Sequence, residues 1–308
     1  MKNVLITSEF FGKFSDAGYK ILEEAGLNVV DPYGHKFLQE EDILLHCECA
    51  DAMICDLEKI TAKVIESSPR LKIISRRGVG VDSVNLEAAK AHNVQVARTL
   101  NVVERPVSEL VMGYILEFSR RISKLNATMK SGSWERCECH SLAGKTLGIV
   151  GMGKIAAEVL RKALAFDMQV LYYDLYQNES AEAMGAKRVD LNTLLKSSDF
   201  VSLHMPLTEK TRGLIGKETL AVMKPTAFLI NTARGEIIDE KELVKALQNK
   251  QIAGAAIDVF SKEPCTDSPL RNCENCILTP HVGTFTQEIF IEMDIVAAKN
   301  VVACLTEK

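Results

Sequence analysis

The sequence predicts an α/β protein of two domains, each built on a parallel sheet with helices on both faces. Two observations carry that prediction. Short β-branched apolar runs alternate with longer stretches of helical period, the pattern that crossover-connected parallel strands leave in a sequence. The chain has 308 residues, about two domains' worth, and 47% of them are hydrophobic, enough to fill two cores.

The first series opens with a strand at residues 4–7 and a helix over 17–25, apolar at Ile21, Leu22 and Ala25. Strands at 28–30 and 52–55 follow. Thr61 opens a helix that stops before Pro69, because the residue ahead of a proline disfavours helical geometry. Residues 71–75 form the next strand. One long helix is then expected over about 106–129, with Val107, Leu110, Val111, Tyr114, Ile115 and Phe118 on its apolar face. Its length suits a strut between domains. A second, more regular series places strands at 145–150, 169–173, 200–203, 227–230, 253–257 and 276–279.

Charge and composition narrow the function. The formal net charge is −4, with no run of five or more Lys/Arg, so nothing points to nucleic acid as a partner. No window reaches the roughly 18 apolar residues of a membrane helix. The N-terminus lacks the pattern of a signal peptide, so a cytoplasmic protein without a membrane partner is expected. The nine cysteines are an odd number, and the chain is too large to need a disulfide framework. Cys273 and Cys276 form a lone C-x-x-C with no second pair to complete a zinc site, so reduced thiols and no metal are expected.

Gly151-Met152-Gly153-Lys154-Ile155-Ala156 is a G-x-G-x-x-A turn between a strand and a helix of small and apolar residues. Gly151 permits the tight turn, Gly153 lets backbone approach a pyrophosphate, and Ala156 allows close helix–strand packing. The helix start at Lys154 and Ile155 presents N–H groups and a positive dipole end to phosphate. Asp174 ends the next strand about 20 residues on, where a carboxylate grips ribose hydroxyls and repels a 2′-phosphate. Leu175 and Tyr176 follow it, with no adjacent Arg, so NAD is favoured over NADP. Past three later strands lie Asn231-Thr232-Ala233-Arg234-Gly235, Asp258-Val259-Phe260 with Glu263, and Pro280-His281-Val282-Gly283. The carboxyl ends of strands are where open α/β sheets bind ligands.

With these residues the chain resembles the D-isomer-specific 2-hydroxyacid dehydrogenases, the family of phosphoglycerate dehydrogenase. The resemblance covers essentially the whole chain and is most specific at residues 223–235. Trp134 and residues 142–146, 204–208, 256–260 and 280–283 extend it. It implies a Rossmann NAD-binding domain over 99–285, inserted into a flavodoxin-like substrate domain of 1–98 and 286–308. It implies His281 as general acid/base, and Glu263 on the other ring nitrogen, favouring the imidazolium. Arg234 would hold the substrate's carboxylate and carbonyl oxygen. Thr232, Ala233, Asp258 and Gly283 would line the nicotinamide, with His204, Pro206 and Thr211 also beside the cofactor. Backbone N–H groups of Val79 and Gly80 would take the substrate carboxylate, as glycine-rich nests do. A homodimer is expected, with the strut helix at its interface.

Departures from the family bear on the substrate. Asp56 stands where phosphoglycerate enzymes carry an Arg, and the family's Asn-Thr-Pro-x-x-Asn reads Arg98-Thr99-Leu100-Asn101-Val102-Val103. Arg76, Arg77, Arg98 and Arg105 remain as sources of positive charge. A 3-phosphoglycerate-like acid is the first expectation. Glyoxylate, hydroxypyruvate or another 2-oxo acid is the alternative, as is an NAD-sensing corepressor-type protein. Glu263 argues against formate dehydrogenases, which carry Gln there; phosphite dehydrogenases stay open. With so short a stretch beyond His281, no C-terminal regulatory domain is expected.

Overall fold

The computed structural model describes residues 1–306; the last two residues of the expected segment 286–308 lie outside the described residues. The chain divides into two compact units. Unit 1 takes Met1–Val103 and the chain from Thr284 onward, and unit 2 takes Glu104–Gly283. The cuts fall at 103/104 and 283/284, against 98/99 and 285/286 from the sequence.

In unit 1 the strands are β1 (Asn3–Ile6), β2 (Asn28–Val30), β3 (Ala52–Cys55), β4 (Ile73–Arg76) and β5 (Gln95–Arg98). They are all parallel, in the flavodoxin-like order β2-β1-β3-β4-β5. Alternate residues of β1 and β3 feed cores on opposite faces. Leu5, Met53 and Cys55 pack with Val64, Ile65 and Ala89. Val4, Ile6, Ala52 and Ile54 pack with Leu22 and with Ala297, Ala298 and Val301 of the helix Gln287–Thr306.

A buried ion cluster closes that second face. The Arg77 side chain is fully buried; its Nε lies 2.5 Å from Asp294 Oδ1 and its Nη1 2.7 Å from Asp56 Oδ2. A buried guanidinium is tolerated only with such partners. Arg77 is therefore taken up inside unit 1 and drops out of the set of substrate-facing arginines. Asp56, the departure noted in the sequence, is one of its two counterions.

In unit 2 the strands are β6 (Thr146–Val150), β7 (Gln169–Tyr173), β8 (Lys187–Arg188), β9 (Phe200–Leu203), β10 (Phe228–Asn231), β11 (Gly254–Ile257) and β12 (Cys276–Leu278). All pair in parallel in the order β12-β11-β10-β9-β6-β7-β8, the doubly wound Rossmann arrangement. Strand order reverses between β6 and β9, so a crevice opens past their carboxyl ends.

The expected single helix over 106–129 is two helices, Glu104–Arg120 and Ile122–Lys130, broken at Arg121 in the left-handed region (φ 50°). The first buries Val111, Met112 and Ile115 against Ala156, Val159 and Leu160 of the helix Lys154–Ala165. The second has no buried residue, so no core holds it to the first helix's axis. No helix among the described residues is long and apolar enough to cross a membrane.

Candidate active site

The glycine turn sits at the sheet's switch point. Gly151 has φ +93°, and a Cβ there would stand 2.9 Å from the backbone of His204 and Met205, so only glycine fits between the loops after β6 and β9. Gly153 has nothing within 4 Å of its Cβ position. It caps the helix Lys154–Ala165, and no side chain caps that end. The first-turn amide of Ile155 lacks an intrahelical acceptor by the geometry of any helix start, and a helix start of this kind suits an anion.

Asp174 closes the turn from β7. Its Oδ2 accepts the Met152 N–H at 2.7 Å and its Oδ1 the Tyr176 N–H at 3.1 Å. Arg188, at the end of β8, donates to the carbonyls of Asp174 and Leu175 at 3.0 Å each. This guanidinium lies 14 positions along the chain from Asp174, and the residues adjacent to Asp174 give no sign of it. The strand that delivers it is two exposed residues long and leaves no apolar signal.

His204 is the other wall. Its Nε2 lies 2.8 Å from Ser202 Oγ. Burial pushes its imidazole down to about 4, so it is neutral near pH 7 and no proton donor. In the same loop Thr211 Oγ1 donates to the Pro206 carbonyl at 2.7 Å. Across the sheet Thr232 Oγ1 is buried with no partner among the described residues. An uncapped helix start, an open glycine, a carboxylate at the second strand and an orphaned buried hydroxyl fit a dinucleotide.

Arg234, Glu263 and His281 meet at this unit's rim. Asn231 shapes the first loop, accepting the Ala233 N–H at 3.0 Å and donating to the Arg234 carbonyl at 2.8 Å. Gly235 lets that loop press on the next; a Cβ there would stand 2.1 Å from the Phe260 carbonyl carbon. Glu263 Oε1 accepts the Phe260 N–H at 2.9 Å, and its Oε2 lies 2.7 Å from His281 Nδ1. Burial alone would raise the Glu263 carboxyl. The His281 hydrogen bond and charge, the Phe260 N–H and the Arg234 charge outweigh it and hold the group below its usual range.

His281 is left-handed (φ 53°), an unusual state for a residue with a side chain. Asp258 holds it there. Its carbonyl accepts the His281 N–H at 2.8 Å, its Oδ1 the Val282 N–H at 2.8 Å and its Oδ2 the Gly283 N–H at 2.9 Å. Val79 and Gly80 belong to unit 1, in the loop after β4. No backbone carbonyl among the described residues takes their N–H groups. Among the described residues no group of three or more His, Cys, Asp or Glu is placed to hold a metal ion.

Comparison with known proteins gives this arrangement a lineage. Residues 112–283 match the model of the D-isomer specific 2-hydroxyacid dehydrogenase NAD binding domain. A D-3-phosphoglycerate dehydrogenase of Methanocaldococcus jannaschii is 43% identical over 87% of this chain and 52% of its own, so the chain spans about half of that relative. A glyoxylate reductase of Thermococcus litoralis is 40% identical over 80% of this chain and 77% of its own. The crystal structure of the TT0316 protein from Thermus thermophilus superimposes with a TM-score of 0.90 at 35% identity, covering 99% of this chain and 97% of that one. With a family model across more than half its length, the protein is a member of the D-isomer specific 2-hydroxyacid dehydrogenases, and NAD is its cofactor.

Proposed function

We propose that the protein interconverts a small D-2-hydroxy acid and its 2-oxo acid, and that unit 1 is the substrate domain. The single observation that carries the reading is the His281–Glu263 pair, 2.7 Å apart beside the Arg234 loop. The bound dinucleotide would supply the redox chemistry, the oxidised form accepting a hydride from C2 of the acid and the reduced form returning one. His281 takes the hydroxyl proton in oxidation and returns it in reduction, contributing roughly 10²–10⁴-fold. Glu263 fixes the tautomer so that Nε2 faces outward, and its charge favours the imidazolium that reduction needs. Arg234 grips the carboxylate and carbonyl oxygen with its planar fork. Val79 and Gly80, in the loop after β4, offer backbone N–H groups to the substrate carboxylate. Thr232, Ala233, Asp258 and Gly283 border the nicotinamide, and Asp174 takes the ribose hydroxyls.

An unphosphorylated 2-oxo acid such as glyoxylate or hydroxypyruvate is the favoured substrate. Asp56 puts a carboxylate where phosphoglycerate enzymes carry an Arg, and Arg77 is sealed between Asp56 and Asp294. A 3-phosphoglycerate-like substrate is the second reading, supported by the 43% identity to a D-3-phosphoglycerate dehydrogenase. NADH oxidation with glyoxylate, hydroxypyruvate, 3-phosphohydroxypyruvate and sulfopyruvate separates them. No turnover with any of the four refutes the reductase reading and leaves an NAD-sensing binding protein.

We also infer a homodimer. The helix Ile122–Lys130 buries nothing, Ile122 is 59% exposed and Trp134 just beyond it 76%. Light scattering at the monomer mass would refute this.

A further inference from the structure

We propose that Tyr114 is a positioning residue for His281, acting through Thr279 and Asp258. The proposal rests on the reading of His281 as the proton-transfer group. Asp258 already ties down three successive amides, those of His281, Val282 and Gly283. Its Oδ1 also accepts the Thr279 hydroxyl at 2.5 Å. That hydroxyl has one proton and spends it on the carboxylate, so toward Tyr114 it can only accept. The Tyr114 O–H, 2.5 Å away, is therefore the donor, and the chain of bonds runs one way from Tyr114 to Thr279 to Asp258.

Both ends of this chain are buried. Tyr114 is 4% exposed and Asp258 1%. Burial pushes the Tyr114 phenol well above its ordinary value, so it remains a donor at every working pH. Tyr114 stands on the helix Glu104–Arg120, which packs on the helix that follows the glycine turn. The same packed layer thus supports the phosphate site and, through two hydroxyls, the loop carrying the imidazole. A left-handed non-glycine residue costs about 1–3 kcal/mol and persists only where its surroundings over-determine it. Tyr114 and Thr279 orient the carboxylate that does so.

The test is Tyr114→Phe, which removes one hydroxyl and keeps the ring in the core. In the chain without substrate, the His281 ring signals by NMR, assigned by their loss in His281→Ala, are expected to change in chemical shift as the imidazole loosens from Glu263. With glyoxylate or hydroxypyruvate as probe, kcat is expected to fall roughly 3–10-fold, the scale of one hydrogen bond lost from a network, with the Kd for NADH unchanged. Thr279→Val should reproduce both effects, Thr279→Ser should recover most of them, and the double variant should be no worse than Thr279→Val. Unmoved His281 ring signals in Tyr114→Phe overturn the proposal, as does equal damage from Thr279→Ser and Thr279→Val. If Tyr114→Phe does not fold, the two Thr279 variants decide alone. His281→Ala separates the two claims. An active His281→Ala refutes the role of His281, whereas an inactive one beside an unaffected Tyr114→Phe refutes only the role of Tyr114.

Discussion

Oε2 of Glu263 lies 2.7 Å from Nδ1 of His281, and that contact commits one ring nitrogen to the protein and leaves the other for chemistry. His281→Ala is expected to lower turnover by roughly 10²–10⁴ while NADH still binds. Fluorescence titration of NADH alongside steady-state rates reads both. Unchanged turnover would remove His281 from the mechanism.

Glu263→Gln tests the pair from the other side. Glu263 is held below its usual range, so it is ionised through neutral pH and is a constant negative neighbour for the imidazole. Reduction needs the ring protonated. Removing the charge takes away the neighbour that favours and orients the protonated ring, so the reductive rate at neutral pH should fall. A rate that does not fall would show that the charge does not act on the ring.

Asp174→Ala is expected to relax the preference for NAD over NADP. The carboxylate that repels a 2′-phosphate is gone, and Arg188, bonded to the Asp174 and Leu175 carbonyls, remains beside the gap to receive one. Adding Arg188→Ala should cancel the gain. The ratio of kcat/KM for the two cofactors is the measurement, and a ratio that does not change in Asp174→Ala refutes the ribose assignment.

Glu58 makes unit 1 sensitive to pH. It is buried, accepts the Thr7 hydroxyl at 2.5 Å and lies 3.0 Å from the Asp56 N–H. Burial first, then the Asp56 charge, push its carboxyl up to about 7. The folded form therefore keeps a proton that the unfolded chain sheds near its ordinary, lower value. The stability this contributes is complete below that value and is lost as pH rises toward 7. Urea midpoints taken from pH 5 to 8 should fall, and Glu58→Gln should flatten the trend. An equally steep trend in Glu58→Gln would refute the assignment.

The sequence was most readable where structure is contiguous. The central strands of unit 2 are buried on both faces; β11 reads as an unbroken run of small and apolar residues, and β9 is apolar apart from Ser202. β5 and β8 sit at sheet edges with polar, half-exposed residues, and no hydrophobic run marks them. The helix break depends on one backbone angle at Arg121, which composition does not encode. At the site, Arg234, Glu263 and His281 lie in short motifs and could be named. Tyr114 and Thr279 meet across 165 positions, and Arg188 reaches Asp174 only because an edge strand turns it there. Contacts of that kind come from the fold, not from spacing.

The Arg77 cluster sets an order on biosynthesis. Asp294 and the apolar face of the helix Gln287–Thr306 complete a core whose other half is made earlier, Arg77 preceding Asp294 by 217 positions. All of unit 2 lies between the two in the nascent chain. Unit 2 can thus mature on the ribosome, while the opening hundred residues wait with a guanidinium lacking one counterion and one sheet face uncovered.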